Sequence, residues 1–195
     1  MARSGPVTKD TSTITIGLMQ IRVGTSATHI ANPNPALVAG DSIGALANTK
    51  FVGNTDWYKL ESGFPLIEDY TVPIREGAAL ECAFKEITPY NMALAHGIDA
   101  AAGSYTDTHS GEVVLGGRVA PAYLRVEAVY TYPNGSNYMT FIFPRAQVSA
   151  NVEVDTQAED AAAVTVMFES KNASSDVSGG NAIWDDKPLG RIQWT

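Results

Sequence analysis

The sequence predicts a mainly β fold: an antiparallel β-sandwich or barrel with one short flanking α-helix (about residues 89–96), long loops and extended terminal arms. Three observations predict it. Seventeen glycines, ten prolines and many Thr and Val residues favour strands and turns over helices. The stretch "AYLRVEAVYTYPNGSNYMTFIFP" alternates on both sides of Asn134-Gly135, the strongest short hairpin signal. Only one segment carries helix signals at both of its ends. A chain of 195 residues can form one domain. It would bury roughly 70% of its extended surface and needs no disulfide framework.

The elements follow in chain order. Residues 1–13 are polar, contain Gly5 and Pro6, and read as an N-terminal arm. "ITIGLMQIRVG" (14–24) is a first strand whose alternation changes phase. A bulge near Gly17, or burial of both faces, accounts for that. Residues 25–50 form a long Asn/Pro/Gly/Ala connection, of the kind that is functional or disordered in compact domains. Residues 51–77 hold strand-like pieces around Trp57–Leu60 and Ile67–Ile74, with five acids against two bases.

"AALECAFKEI" (78–87) is a strand with Ala78, Leu80, Cys82 and Phe84 on one face. The helix follows. Thr88 is its N-cap, Pro89 sits at N1, and Gly97 ends it. Ile87 and Met92 are placed as a hydrophobic staple. A 100° spacing puts Ile87, Tyr90, Leu94 and Ile98 on one face, to lie on a sheet. Residues 99–121 are a second Gly-rich connection, with a short strand expected at Glu112–Leu115.

In the Asn-Gly hairpin, Tyr130 should pair with Met139 and Ala128 with Phe141. One face is core. The other carries Tyr123, Arg125, Glu127, Val129, Thr131, Tyr138, Thr140 and Ile142, a mixture suited to water or a wet interface. "AQVSANVEVD" and "AAVTVMFES" are closing strands around the acidic "TQAED". A C-terminal arm, 171–195, starts polar and ends with Trp184, Leu189, Ile192 and Trp194. The indoles either fold back on their own domain or anchor on a neighbouring chain. The domain itself spans 14–170.

Charge and chemistry narrow the function. A net charge of -8 opposes general nucleic-acid binding, which rests on Lys and Arg at phosphates. The single cysteine, Cys82, excludes an internal disulfide and reads as a buried thiol. The N-terminus has no apolar signal region, and no apolar run approaches the ~20 residues of a membrane span. Synthesis in a cytoplasm is expected, which leaves the sequons at Asn134 and Asn172 without consequence. Asp107, His109 and Glu112 are the densest polar cluster, but they match no established zinc spacing. No nucleophile elbow or phosphate-binding loop is present, so neither enzyme activity nor a cofactor is expected. The acids Glu61, Glu68, Asp69, Glu153, Asp155, Glu159 and Asp160 read as solvated charge or as a negative wall that anions slide past.

Three stretches share a pattern: "VGNTDWYKLESG", "ALECAFKEITPYNMALAHGID" and "YMTFIFPRAQVSANVEVDTQAEDAAAVTVMFES". In this order, over about residues 14–170, the chain resembles the major tail tube proteins of long-tailed, siphovirus-like bacteriophages. The resemblance implies a β-sandwich closing toward a barrel, with the helix sealing its outside. Six copies would join sheet edges into a ring, and rings would stack into a tube. A loop within 56–76, with Glu61, Glu68, Asp69 and Arg75 as candidates, would reach the next ring. The arms would clasp adjacent subunits, with Trp184, Leu189, Ile192 and Trp194 as anchors.

The wet hairpin face, with Arg125, Glu127 and Thr140, would line the lumen. The tube would hold a tape measure protein and meet tail terminator and tip proteins. DNA would later pass without specific binding. The expected location is the virion tail, after synthesis in the host bacterial cytoplasm. The alternatives are another virion structural protein (head decoration or tail completion) or a carbohydrate-binding module using Trp57, Tyr123 or Tyr138. A metal enzyme built on Asp107, His109 and Glu112 is the third rival.

Overall fold

The computed structural model describes residues 15–98, 105–116, 120–149, 151–155 and 161–195. The expected N-terminal arm, 1–13, and the acidic turn "TQAED", 156–160, lie outside them. Among the described residues eight strands are present: β1 (Gln20–Thr25), β2 (Leu46–Ser62), β3 (Ile67–Phe84), β4 (Leu124–Thr131), β5 (Tyr138–Val148), β6 (Val154–Asp155), β7 (Ala163–Ser170) and β8 (Arg191–Trp194). Two α-helices join them, α1 (Ser26–His29) and α2 (Pro89–Ala95).

All strand pairings are antiparallel. They form one sheet in the order β1-β4-β5-β7-β3-β2, with β6 added on β7 and β8 on β5. The sheet rolls up on itself. Phe51 of β2 packs on Phe141 of β5 with ring centroids 4.7 Å apart, although β7 and β3 lie between those strands in the order. The two ends of the sheet approach where Met19 N donates to Thr49 Oγ1 at 3.2 Å and Ile43 N donates to Ile21 O at 3.0 Å. The fold is therefore the barrel-like form of the expected β architecture.

Alternation explains which residues fill it. Ile21 and Val23, Leu80, Cys82 and Phe84, Leu124 and Val126, and Val164, Val166 and Phe168 recur every second position and share one apolar cluster. Each such side chain, fully buried, contributes about 1.5–3 kcal/mol. The expected pairs Tyr130–Met139 and Ala128–Phe141 are present. Tyr132 N donates to Asn137 O at 3.0 Å, so a four-residue connection closes the hairpin.

The caps of α2 form as read: Thr88 Oγ1 accepts from Asn91 N at 3.2 Å, and Pro89 opens the helix. Of the expected face, Leu94 is buried and Tyr90 and Ile98 pack against the core cluster, while Ile87 is exposed; Asn91, Ala93 and Ala95 are buried as well. Asn91 Nδ2 donates to Ile43 O at 3.0 Å and Glu86 O at 2.7 Å. That grip turns small residues inward, and they join the barrel's own apolar cluster. The helix thus completes the interior as well as flanking the sheet. No strand forms at 112–115, and the 25–50 connection contains α1 and the start of β2.

Candidate assembly surfaces

Pairing of β3 with β7 stops at Ala79↔Glu169, but pairing of β3 with β2 continues to Ser62↔Ile67. Among the described residues the distal part of this hairpin is a two-stranded ribbon with no further strand on either side. Two irregularities, between Asp56/Trp57 and Leu60/Glu61, leave Ile74 and Asp69 as extra residues on β3.

Register assigns the faces of this ribbon. Phe51 points into the barrel, so odd positions of β2 continue the inner face and even positions the outer. On the ribbon the usual polarity is inverted. Tyr58 and Leu60, with their partners Val72 and Tyr70, make the outer face apolar. Trp57, Lys59 and Glu61, with Pro73, Thr71 and Glu68, make the inner face mostly polar. Lys59 Nζ lies 2.6 Å from Glu68 Oε2, and Thr71 Oγ1 donates to Glu68 Oε1 at 2.5 Å. The hydrogen bond to Glu68 holds the Lys59 ammonium above its usual range, and Lys59 holds the Glu68 carboxyl below its own. At the tip, Gly63 has φ 89° and Phe64 is fully exposed.

The four inter-ring candidates all lie on this hairpin and are exposed. Glu68 is paired with Lys59, Ser62 Oγ donates to Asp69, Glu61 stands opposite Glu68, and Arg75 sits apart at the root. What the sequence reading missed is the apolar face beside them. Its signal was the spacing Tyr58-x-Leu60 and Tyr70-x-Val72. At the root, on the outer face, a trough of about 420 Å³ is lined by Val52, Ala79, Met167 and Leu189 together with the charged Asp56, Arg75, Glu76, Glu81, Glu169 and Lys171, among others.

The lumen candidates require a correction. Arg125 and Glu127 are wholly buried and Thr140 nearly so, so none faces a bore. The cause is the 25–38 segment, which folds over this face as a strap. Arg125 Nε meets Glu127 Oε1 at 2.7 Å. Arg125 Nη1 donates to His29 O at 2.7 Å and Asn32 O at 2.8 Å, and Nη2 donates to Asn34 O at 2.7 Å. Glu127 accepts from Ala36 N at 2.8 Å and Leu37 N at 3.2 Å. Burial pulls the Arg125 guanidinium below its usual value, and the Glu127 carboxylate opposes that pull. Thr140 lies opposite Gln193 of β8.

The proposed arm anchors are also placed differently from a free arm. Trp184 is buried with Ile142 and Ala173, and its Nε1 donates to Ile30 O at 2.6 Å. Ile192 and Trp194 lie on β8, paired with β5 of the same chain. Leu189 O accepts from Ser170 Oγ at 2.5 Å. A Cβ on Gly190 would fall 2.0 Å from Ile142 O, so only glycine permits this approach. Of the two readings of the indoles, the fold-back is the arrangement present.

Among the described residues no group of three or more His, Cys, Asp or Glu could hold a metal ion. Among them, too, no helix is long and apolar enough to cross a membrane.

No family model matches the chain, and no curated protein does. Among solved structures, 12 chains match. One belongs to the tail of an empty GTA particle, computed with helical refinement and C6 symmetry. It is 10% identical, covers 91% of this chain and 95% of its own, and superposes with a TM-score of 0.39. A likeness so distant carries no functional argument.

Proposed function

We propose that the chain is a structural subunit that polymerises as stacked hexameric rings into a phage tail tube. The observation that carries this reading is the ribbon's exposed apolar surface. Trp57, Tyr58, Leu60, Phe64, Leu66, Ile67, Tyr70 and Ile74 are all exposed there. At the usual size of such side chains they present on the order of 800–1,000 Å². This area is shared between the two faces of the ribbon and its tip, and exposed apolar surface on that scale marks an interaction site. It equals the ~800 Å² that each partner contributes to a stable interface. The bare ribbon edges add unpaired backbone groups that a sister molecule can satisfy.

In this reading the ribbon reaches the next ring. With Arg125, Glu127 and Thr140 buried, the surface left for a water-filled bore is the ribbon's charged face, with Lys59, Glu61, Glu68 and Thr71. The acidic balance of the chain keeps DNA from adhering while it passes. A tape measure protein, a terminator and tip proteins are the partners such a tube requires, and the virion tail is its location.

Negative-stain microscopy and light scattering across a concentration series test the proposal. Hollow tubes of six-fold rings are expected from the natural chain, and particles that stay monomeric from Leu60→Glu. A natural chain that is a lone monomer at every concentration would sink the reading.

A further inference from the structure

We propose that Asn134-Gly135 is a site of spontaneous deamidation that the closed β4–β5 hairpin holds shut, and that its isoaspartate product keeps the hairpin from re-forming. The site lies on the barrel, apart from the ribbon, and assembly plays no part in it.

Asn134-Gly135 is the only Asn-Gly step in the chain. Deamidation favours that pair because the main-chain nitrogen after the asparagine must reach its side-chain carbon. A glycine has no Cβ to block the approach and turns freely into it. Burial does not prevent the reaction here. Residues 133–138 are exposed, and a Cβ on Gly135 would meet nothing within 4 Å. Water and hydroxide therefore reach the turn.

What restrains it is hydrogen bonding. Gly135 N donates to Tyr132 O at 2.9 Å. The proton that must leave this nitrogen is turned into the loop, as in an amide protected from exchange. Asn134 Oδ1 accepts from Ser136 N and from Asn137 N, each at 3.1 Å. Those amides polarise the side-chain carbonyl, but without loss of the Gly135 proton there is no nucleophile to use it. The strands tie the turn at its base. Tyr132 N donates to Asn137 O at 3.0 Å, and Trp194 Nε1 of β8 donates to Tyr132 Oη at 3.2 Å.

When the hairpin opens, base removes the Gly135 N–H proton and the nitrogen attacks Asn134 Cγ. The Cγ–Nδ2 bond breaks, and Nδ2 leaves as ammonia with a proton returned from water. Water then opens the five-membered ring. Cleavage between Gly135 N and Cγ gives aspartate, and cleavage between Gly135 N and the main-chain carbon gives isoaspartate. Aspartate keeps an oxygen for the Ser136 and Asn137 amides. Isoaspartate routes the main chain through Cβ and Cγ. The added methylene spoils the turn that sets Tyr130 opposite Met139.

Peptide mapping by mass spectrometry tests this on the full chain at pH 8, in buffer and in unfolding guanidinium. Acid at position 134 should appear about tenfold or more slowly in the folded chain, because several turn bonds must be lost first. When the aged, unfolded chain is returned to buffer, isoaspartate should be depleted from the soluble refolded fraction and aspartate should not. Asn134→Asp should show the urea midpoint of the natural chain, separating the added charge from the added methylene. These results together support the proposal. Equal rates in the two conditions, or no acid at 134 in the unfolded chain, would overturn the guarded site. Isoaspartate at full share in the refolded fraction would overturn its effect on the hairpin.

Discussion

The two long hairpins of this chain treat polarity in opposite ways. The β4–β5 hairpin hides Arg125, Glu127 and Thr140, while the β2–β3 ribbon displays Tyr58, Leu60, Phe64 and Tyr70. Side-chain type does not explain this; coverage does. The strap at 25–38 and β8 lie over the first hairpin within the same chain, and every charge under them meets a partner. Among the described residues no element covers the ribbon, and its apolar face stays exposed. The first hairpin is finished within the chain, and the second is the surface that the proposed assembly would cover.

The largest effect expected from breaking this contrast comes from the strap. Arg125→Ala leaves Glu127 buried without its ion pair and strips His29, Asn32 and Asn34 carbonyls of a donor. A loss of about 3–5 kcal/mol is expected from a urea titration. Trp184→Phe keeps most of the ring but removes the N–H held by Ile30 O, a loss of about 1–3 kcal/mol by the same measurement. On the ribbon the ranking reverses. Leu60→Ser should change monomer stability by no more than ~0.5 kcal/mol, because the site is solvated already. Under the proposed assembly its cost is expected instead in the concentration at which copies associate. A ribbon substitution that lowers the urea midpoint as far as Arg125→Ala does would erase the distinction between the two hairpins.

The legible parts of the sequence were those whose signal is local. Thr88, Pro89 and Gly97 define α2, and Asn134-Gly135 sets the β4–β5 register, because caps and tight turns need only neighbouring residues. The rest depended on contacts distant in sequence. Arg125 alternates like an outward residue, and only the Asn/Pro-rich strap, 90 or more residues away, buries it. Of the face read for α2, Tyr90, Leu94 and Ile98 pack on the core and Ile87 does not, and periodicity could not anticipate that Asn91 would reach Ile43 O and be buried too. Trp184 was left between two readings because its partner Ile30 lies 154 residues earlier. The ribbon's apolar face was present as spacing. Five acids and a Gly-Phe-Pro turn in the same stretch gave it the appearance of a loop.

Strand β3 permits the finest comparison, since it runs through both regimes. Cys82 lies within the barrel, and burial pushes its thiol up to about 12. Tyr70, on the same strand, lies exposed on the ribbon. At pH 8 a thiol reagent should modify Tyr70→Cys rapidly and leave Cys82 untouched until the protein unfolds. The thiolate fraction alone separates the two by about a thousandfold or more, from an ordinary value near 8.5. The sign for stability follows from the same shift. A thiol whose folded pKa is raised stabilises the fold fully below its unfolded value of 9.0, and that contribution is lost as pH climbs from there toward about 12. Between pH 6 and 8 Cys82 should therefore leave the urea midpoint unchanged. Between pH 9 and 11 the midpoint should fall by more in the natural chain than in Cys82→Ala. Equal slopes in the two proteins, or modification of native Cys82 at the rate of Tyr70→Cys, would show that β3 is as open in the barrel as it is on the ribbon.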